Sequence, residues 1–533
     1  MMIYTFKMLE NEYWWGGSAD EGTLQPYSAE TNYTADHREI CANQGMPLYL
    51  SSKGRYIWSE DAFVTTFKNG VITIESNQEV MMIEAGNTLK DAYLAAKDAH
   101  FPFAGKVPEN TFFTTAQYNT WMEYTYEPTQ EKVLKYAHDI VSHGFVPGIL
   151  IIDEGWHNPY GDWTFDFLKF PDPKAMIDEL HEMGFKVMLW VVPYVTCSGL
   201  KYISAIRQDL NPQSWDKIFL RTEDGSVALT SWWNGISAIL DFTEPNNCEF
   251  LDRQLRTLMN DYGVDGFKFD GGSRDSYSNR QVCNGQYRGT ADGIYSPLKQ
   301  NLAWNEFGAR YTFHEYKDTY KGGGKPTVQR LQDRGHRWTE DGINTILPNS
   351  IVQGLLGYPF ICPDMIGGGE WSYNVKPGFQ IDEELFIRMA QISVFFPMMQ
   401  FSWAPWRVLS KESWEIVAGF GKLHAQMADE ILKVIEESAV TGEPVLRNME
   451  YAYPGCGYER ITDQYLCGED ILICPIVTKG TYVKDVVIPE GVWQDELGNI
   501  YESGVYKIPT PIDRLPYFRK IKSRVQRIKE ILQ

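Results

Sequence analysis

The feature that most restricts how this chain folds is a rhythm. From about residue 112, short apolar runs alternate with longer helical stretches. Residues 146–153 form an apolar run closed by Asp153, residues 173–184 carry apolar side chains at helical spacing, and residues 185–193 form the next apolar run. A helix pattern over 250–262 leads likewise into the run 264–270, which ends in Asp270. Strand, helix and strand in that order predict βα units around a parallel sheet. Runs ending in Asp153, Trp190, Asp270 and Asp364 bring polar and aromatic groups to one rim, which in a barrel is where chemistry takes place.

The flanks have a different period. Tyr56-Ile57-Trp58 and Val71-Ile72-Thr73-Ile74 belong to short alternating runs separated by Gly, Asn and Ser, which predicts an antiparallel sandwich over 1–110. The central α/β domain then covers 111–428, and alternation returns over 429–518, as in the runs 471–477 and 483–489. Residues 519–533 cluster Arg519, Lys520, Lys522, Arg524, Arg527 and Lys529. Tyr517, Ile521, Val525, Ile528 and Ile531 fall at helical spacing there, predicting a short basic helix docked on the body or against a second copy.

With a formal net charge of −21, the chain repels nucleic acid and anionic membrane, whereas a neutral small molecule does not feel that field. The opening residues, Met1 to Lys7, lack a basic segment followed by an apolar run, and no run of about 18 apolar residues occurs, so a cytoplasmic location off the membrane is expected. The eight cysteines form no C-x-x-C pair, and the nine histidines show neither an i, i+4 pair beside a glutamate nor zinc spacing with cysteine. Gly322-Gly323-Gly324-Lys325 lacks the Ser or Thr of a phosphate loop, and no dinucleotide fingerprint surrounds Gly367-Gly368-Gly369. Neither metal nor cofactor is expected. Aromatic residues reach 14%, which suits either a large core or the stacking of sugar rings.

Two acids stand out from the 70 Asp and Glu. Asp270 ends a strand and precedes Gly271-Gly272, and Asp341 lies in Arg337-Trp338-Thr339-Glu340-Asp341-Gly342. They are 71 positions apart (341 − 270), so only the fold can bring them together. Cleaving a glycosidic bond needs such a pair, one to protonate the leaving oxygen and one to attack or to activate water.

Several segments resemble glycoside hydrolase family 31. They are Ile151-Ile152-Asp153-Glu154-Gly155-Trp156 followed by Gly161-Asp162-Trp163, then Leu189-Trp190-Val191-Val192-Pro193, and the Trp338-x-x-Asp341 tract leading to Leu356-Gly357-Tyr358-Pro359-Phe360 and Pro363-Asp364-Met365-Ile366-Gly367-Gly368. Pro444-Val445-Leu446-Arg447 and Leu515-Pro516-Tyr517-Phe518 resemble that family's β-domain, so the likeness covers about 112–520 in order. It implies a catalytic (β/α)8 TIM barrel flanked by an N-terminal β-sandwich and a C-terminal antiparallel β-domain. It also implies a retaining exo-acting α-glycosidase, with Asp270 as nucleophile, Asp341 as general acid/base and a small oligosaccharide or glycoside as partner. Asp153, Glu154, Trp156, Trp190, Lys268, Arg337, Trp338, Asp364 and Ser402 form the implied substrate-binding set. For Asp364, bracing the following glycines is the alternative role.

Two departures bear on specificity. Members acting on glucosides place Trp two residues before the nucleophile, where this chain has Lys268, and an Arg-Asn-His tract where it has Gln400-Phe401-Ser402. Lysine at that position resembles the related α-galactosidases of the same structural clan, as does Tyr118-Asn119-Thr120-Trp121. The resemblance therefore leans towards α-galactosides, with an α-glucosidase, an α-xylosidase or a transglycosidase as alternatives. A non-catalytic carbohydrate-binding protein on the same scaffold is the competing class. A structural reading of Lys268 is an ion pair to Asp270 or Asp153.

Overall fold

In the computed structural model, eight parallel strands form the central barrel: Gln117–Asn119, Ile149–Ile152, Lys186–Val191, Gly266–Phe269, Phe313–Tyr316, Gln329–Arg330, an interrupted seventh, and Gln400–Phe401. The structure describes all residues except 39–42, 197, 200–217, 223, 274–286, 289–295, 374–375 and 522–533. The seventh strand closes the ring in two pieces. Ile361–Cys362 pairs with the sixth strand, and Met365–Ile366 pairs with the eighth. The second strand is buried along its whole length, as befits a strand covered by helices outside and side chains inside.

The helices start where the sequence supplies caps. The Thr129 side chain accepts from Lys132 N ahead of Gln130–Ser142, whose Val133, Tyr136, Ala137 and Ile140 face the core. Asp172 accepts from Ala175 N ahead of Pro173–Glu182, with Pro173 in the first turn, where its missing N–H is no loss. Between the fifth and sixth strands the described residues hold a short strand, Thr319–Tyr320, where a barrel would place a helix. It pairs with Gln44–Ser51 of the N-terminal domain, which so reaches the rim of the barrel.

That domain stacks two antiparallel sheets over a core that includes Trp14, Tyr49, Phe63, Phe67, Ile72 and Ile74. It also contains the helix Leu89–His100, opened by a capping box between Thr88 and Asp91. The C-terminal domain is a six-stranded sheet of antiparallel pairs.

Two expectations need correction. Helix Lys411–Thr441 runs through the predicted boundary at 428/429 and ends at Gly442 in the left-handed region (φ +78°). The basic segment does not begin as a helix, because Arg519 and Lys520 lie in the strand Tyr517–Ile521. Tyr517 and Ile521 are four residues apart, a spacing that one face of a strand satisfies as well as a helix does. Phe518 enters the sheet core, Arg519 ion-pairs with Glu430, and the Lys520 ammonium lies over the Trp493 ring. The remainder of the expected helix, 522–533, lies outside the described residues. Among the described residues, no helix is long and apolar enough to cross a membrane.

Candidate active site

Asp270 follows the fourth barrel strand, and its backbone N–H donates to Val191 O of the third (2.8 Å). Trp190 Nε1 donates to its Oδ2 (3.0 Å) and Gly271 N to its Oδ1 (2.9 Å), so both carboxylate oxygens are oriented. Burial opposes ionisation here. The Lys317 and Lys268 ammonium groups, aided by the Trp190 hydrogen bond, outweigh it and hold the carboxyl well below the usual carboxylate range.

Asp153, at the end of the second strand, accepts from Lys268 Nζ (2.7 Å). Both are buried, and burying one charge of such a pair without the other would be costly. Beside Asp153, Glu154 is wrapped in donors: Tyr160 Oη (2.6 Å), Trp233 Nε1 (3.0 Å) and the amide of Asn234. Burial, together with the charges of Asp153 and Asp270, pushes the Glu154 carboxyl up to about 7 against the pull of those hydrogen bonds.

Lys317 follows the fifth strand, and its Nζ lies 3.4 Å from Asp270 Oδ1 and 3.3 Å from Asp333 Oδ2. Those two oxygens therefore cannot be farther apart than the sum of the two contacts, which admits the ~5–5.5 Å separation of a retaining carboxyl pair. Asp333 follows the sixth strand and is also held by Arg330 Nη1 (2.8 Å). Burial raises its pKa, and Lys317, Arg330 and Lys268 together bring it below the ordinary value. Gln44 of the N-terminal domain braces both segments, its Nε2 donating to Lys317 O (2.7 Å) and Arg330 O (3.1 Å).

These groups line one pocket of about 150 Å3. Asp153, Glu154, Lys268, Asp270, Lys317 and Asp333 supply its charges together with Glu370, and Trp121, Trp190, Trp233 and Trp371 supply its aromatic walls. Such a mixture of flat apolar faces and convergent polar groups suits a single neutral, hydroxyl-rich ring.

The structure brings Asp153, Glu154, Trp190, Lys268 and Asp270 of the expected set into this pocket, and places the others elsewhere. Asp341 lies in a left-handed turn (φ +61°), its side chain about half exposed and paired with Arg337 Nε at 2.5 Å. Neither residue lines the pocket. Trp338 turns its indole to Asp382 (3.0 Å). Trp156 is fully buried behind the wall, donating to Trp190 O (2.8 Å). Asp364 is buried outside the pocket as well. It accepts from Arg334 N (2.7 Å), Gly369 N (3.1 Å) and Arg330 Nη1 (2.6 Å), and so braces the glycine loop and the arginine that holds Asp333. Ser402 Oγ accepts from Met122 N (2.6 Å) and anchors the helical turn that carries Trp121.

The pocket residues that sequence reasoning missed are Trp121, Trp233, Lys317, Asp333, Glu370 and Trp371. Of these, only Trp121 had a signal, in the Tyr-Asn-Thr-Trp tract. Among the described residues, no group of three or more His, Cys, Asp or Glu is arranged to hold a metal.

Known proteins resemble this chain in sequence and in fold. Residues 111–434 match the TIM-barrel domain of glycosyl hydrolases family 31, and residues 442–523 match that family's C-terminal domain. Mouse myogenesis-regulating glycosidase is 32% identical over 437 residues, which are 79% of this chain and 58% of that protein. Alpha-glucosidase 2 of Bacillus thermoamyloliquefaciens is 26% identical over 75% of this chain and 52% of its own length. The chain thus spans little more than half the length of these relatives. A family 31 dextranase of Flavobacterium johnsoniae, solved with glucose, shares the fold at a TM-score of 0.81 and 19% identity, over 98% of this chain and 66% of that one.

Proposed function

We propose, for a chain that belongs to glycosyl hydrolase family 31, a retaining exo-acting α-glycosidase that works through Asp270 and Asp333. The observation that carries this reading is the shared ammonium of Lys317, which gathers two carboxylates from the ends of the fourth and sixth strands at one small pocket.

In the first half-reaction Asp270 Oδ attacks the anomeric carbon, the glycosidic C–O bond breaks, and the Asp333 proton passes to the leaving oxygen. In the second, Asp333 takes a proton from water, which displaces the Asp270 carboxylate from the glycosyl ester. Asp270 is prepared for attack by its ionised form and by the Trp190 hydrogen bond. Asp333 delivers its proton from the acid side of neutrality, because Lys317 and Arg330 favour its charged form. Glu154 is a less suitable acid even with its raised pKa, since both of its oxygens already accept from Tyr160, Trp233 and Asn234. Asp341 is set aside because it lies outside the pocket and faces solvent.

The proposed substrate is a terminal α-galactoside. Support comes from the Lys268–Asp153 pair, which offers an ammonium donor and a carboxylate acceptor side by side to the ring hydroxyls. The test is release of nitrophenol from paired α-galactoside, α-glucoside and α-xyloside substrates by wild type and Asp270→Ala. Galactoside turnover that the substitution abolishes supports the whole reading. Turnover of another glycoside keeps the mechanism and removes the galactoside assignment, and turnover that survives Asp270→Ala contradicts the mechanism.

A further inference from the structure

A polar cavity of about 150 Å3 lies in the seam between the N-terminal and C-terminal domains, and it shares no residue with the catalytic pocket. The N-terminal domain supplies Ser52 and Lys53, just after the strand Gln44–Ser51, and Asn87 and Thr88, just ahead of the helix Leu89–His100. The C-terminal domain supplies Glu450, in the helical turn Met449–Ala452, and Glu459. The two walls are fixed to each other. Lys90 pairs with Glu443 (2.7 Å), Tyr93 Oη donates to Gly442 O (2.7 Å), and the Arg460 guanidinium lies over the Tyr13 ring at 5.4 Å.

Glu450 is 2% exposed. Its Oε1 accepts from Gly455 N (2.9 Å), while its Oε2 is buried and has no hydrogen-bond partner among the described residues. A buried carboxylate oxygen left unpaired is costly. Burial and the charge of Glu459 push the Glu450 carboxyl up to about 7, against the pull of the Gly455 hydrogen bond. Lys53 is exposed to solvent and, among the described residues, forms no ion pair with either acid. The other lining groups are hard oxygens. Ser52 Oγ and Thr88 Oγ1 accept from Tyr13 N and Asp91 N (both 3.1 Å), which leaves each a further lone pair, and Asn87 adds a side-chain carbonyl. Among the described residues no imidazole or thiol lines the cavity, which disfavours the softer metals. Two carboxylates among neutral oxygens suit calcium, which takes about six to eight oxygens in loose geometry, better than magnesium, which demands a strict octahedron.

We propose that this cavity binds one calcium ion, held by Glu450 and Glu459 from one domain and by oxygens of Ser52 and Asn87 from the other. The ion gives the unpaired Glu450 oxygen a partner and offsets the repulsion between the two acids. It also staples together the two domains that flank the barrel, so its binding shows as added stability. The proposal does not depend on the glycosidase reading.

The test uses the full chain, stripped with EGTA and buffered above neutral pH so that Glu450 is ionised. Calcium and magnesium chloride are titrated by calorimetry into wild type, Glu450→Gln and Glu459→Gln, and thermal unfolding is followed with and without calcium. One calcium per chain is expected, weakened about tenfold or more by either substitution, as loss of a charged ligand implies. Calcium is expected to raise the Tm of wild type and not that of Glu450→Gln. In EGTA the ranking should reverse, with Glu450→Gln at least as stable as wild type, because the amide removes a buried charge. Should Glu450→Gln fail to fold, the partly exposed Glu459→Gln carries the test. Absence of calcium binding, magnesium binding as tight as calcium, or calcium binding that survives the substitutions overturns the proposal.

Discussion

Lys317 Nζ lies within 3.4 Å of a carboxylate oxygen of Asp270 and within 3.3 Å of one of Asp333, so one ammonium touches both proposed catalytic acids and, with Lys268 and Arg330 nearby, favours the charged form of each. Replacing it with an uncharged group therefore raises both pKa values together. The rise of kcat/KM with pH reports ionised Asp270, and the fall reports loss of the Asp333 proton. In Lys317→Met both limbs are expected to move to higher pH. A pH–rate profile displaced in neither limb would show that Lys317 does not act on this pair.

Replacing the proposed acid should affect substrates according to their leaving groups. Asp333→Ala is expected to cost ~10²–10⁴-fold on a natural disaccharide and much less on a nitrophenyl glycoside, whose leaving group needs little protonation. Asp341→Ala removes only a solvent-facing partner of Arg337, and should leave both rates within about threefold, in keeping with the small worth of exposed ion pairs. The reverse ranking of the two variants would restore Asp341 to the mechanism.

Why one acid was legible and the other was not follows from the strands that carry them. Asp153 and Asp270 each close an apolar run that the sequence displays openly, and Trp190 lies on the strand between them. The fifth, sixth and eighth strands point charged and amide groups into the barrel. There Arg330 Nε lies 3.4 Å from Glu315, and Gln400 Nε2 donates to Glu315 (2.8 Å) and Gln117 (2.9 Å). With that interior polar, Phe313–Tyr316 and Gln329–Arg330 lack the hydrophobic pattern of a strand, and Lys317 and Asp333 just beyond them carry no local sign of their position. Trp233 reaches Glu154 from the tip of the hairpin Leu229–Trp232 and Gly235–Ile239, a pairing that only the fold reveals. The Trp338-x-x-Asp341 tract, clear in the sequence, folds into a turn that pairs Asp341 with Arg337 away from the pocket.

Glu154 couples the pocket to folding. Its pKa is raised from 4.5 to about 7, so the folded state binds its proton more tightly than the unfolded chain does. The stability this gives is complete below about pH 4.5 and is lost as pH rises through about 7. Glu154→Gln keeps the hydrogen-bonding shape without the titration. The difference in Tm between variant and wild type is therefore expected to shift in the variant's favour between pH 4.5 and 7.5. A difference that is flat across that range would contradict the raised value.

The N-terminal domain contributes to the site through Gln44, whose amide holds the carbonyls of Lys317 and Arg330 and accepts from Gln353 Nε2 (2.8 Å). Gln44→Ala leaves buried polar groups unpaired, with an expected cost of ~1–3 kcal/mol in denaturant unfolding. A loss of kcat with little change in KM should accompany it, since the loops carrying both acids lose their brace. Unchanged unfolding and unchanged kcat would show that the brace is idle.

The most direct test of the central claim is to trap the glycosyl-enzyme with a 5-fluoro-α-galactosyl fluoride and map the labelled peptide by mass spectrometry. The account predicts one added glycosyl group, carried on Asp270, forming in wild type and absent in Asp270→Ala. A label on another residue, or turnover that releases the inverted anomer with no label at all, would contradict it.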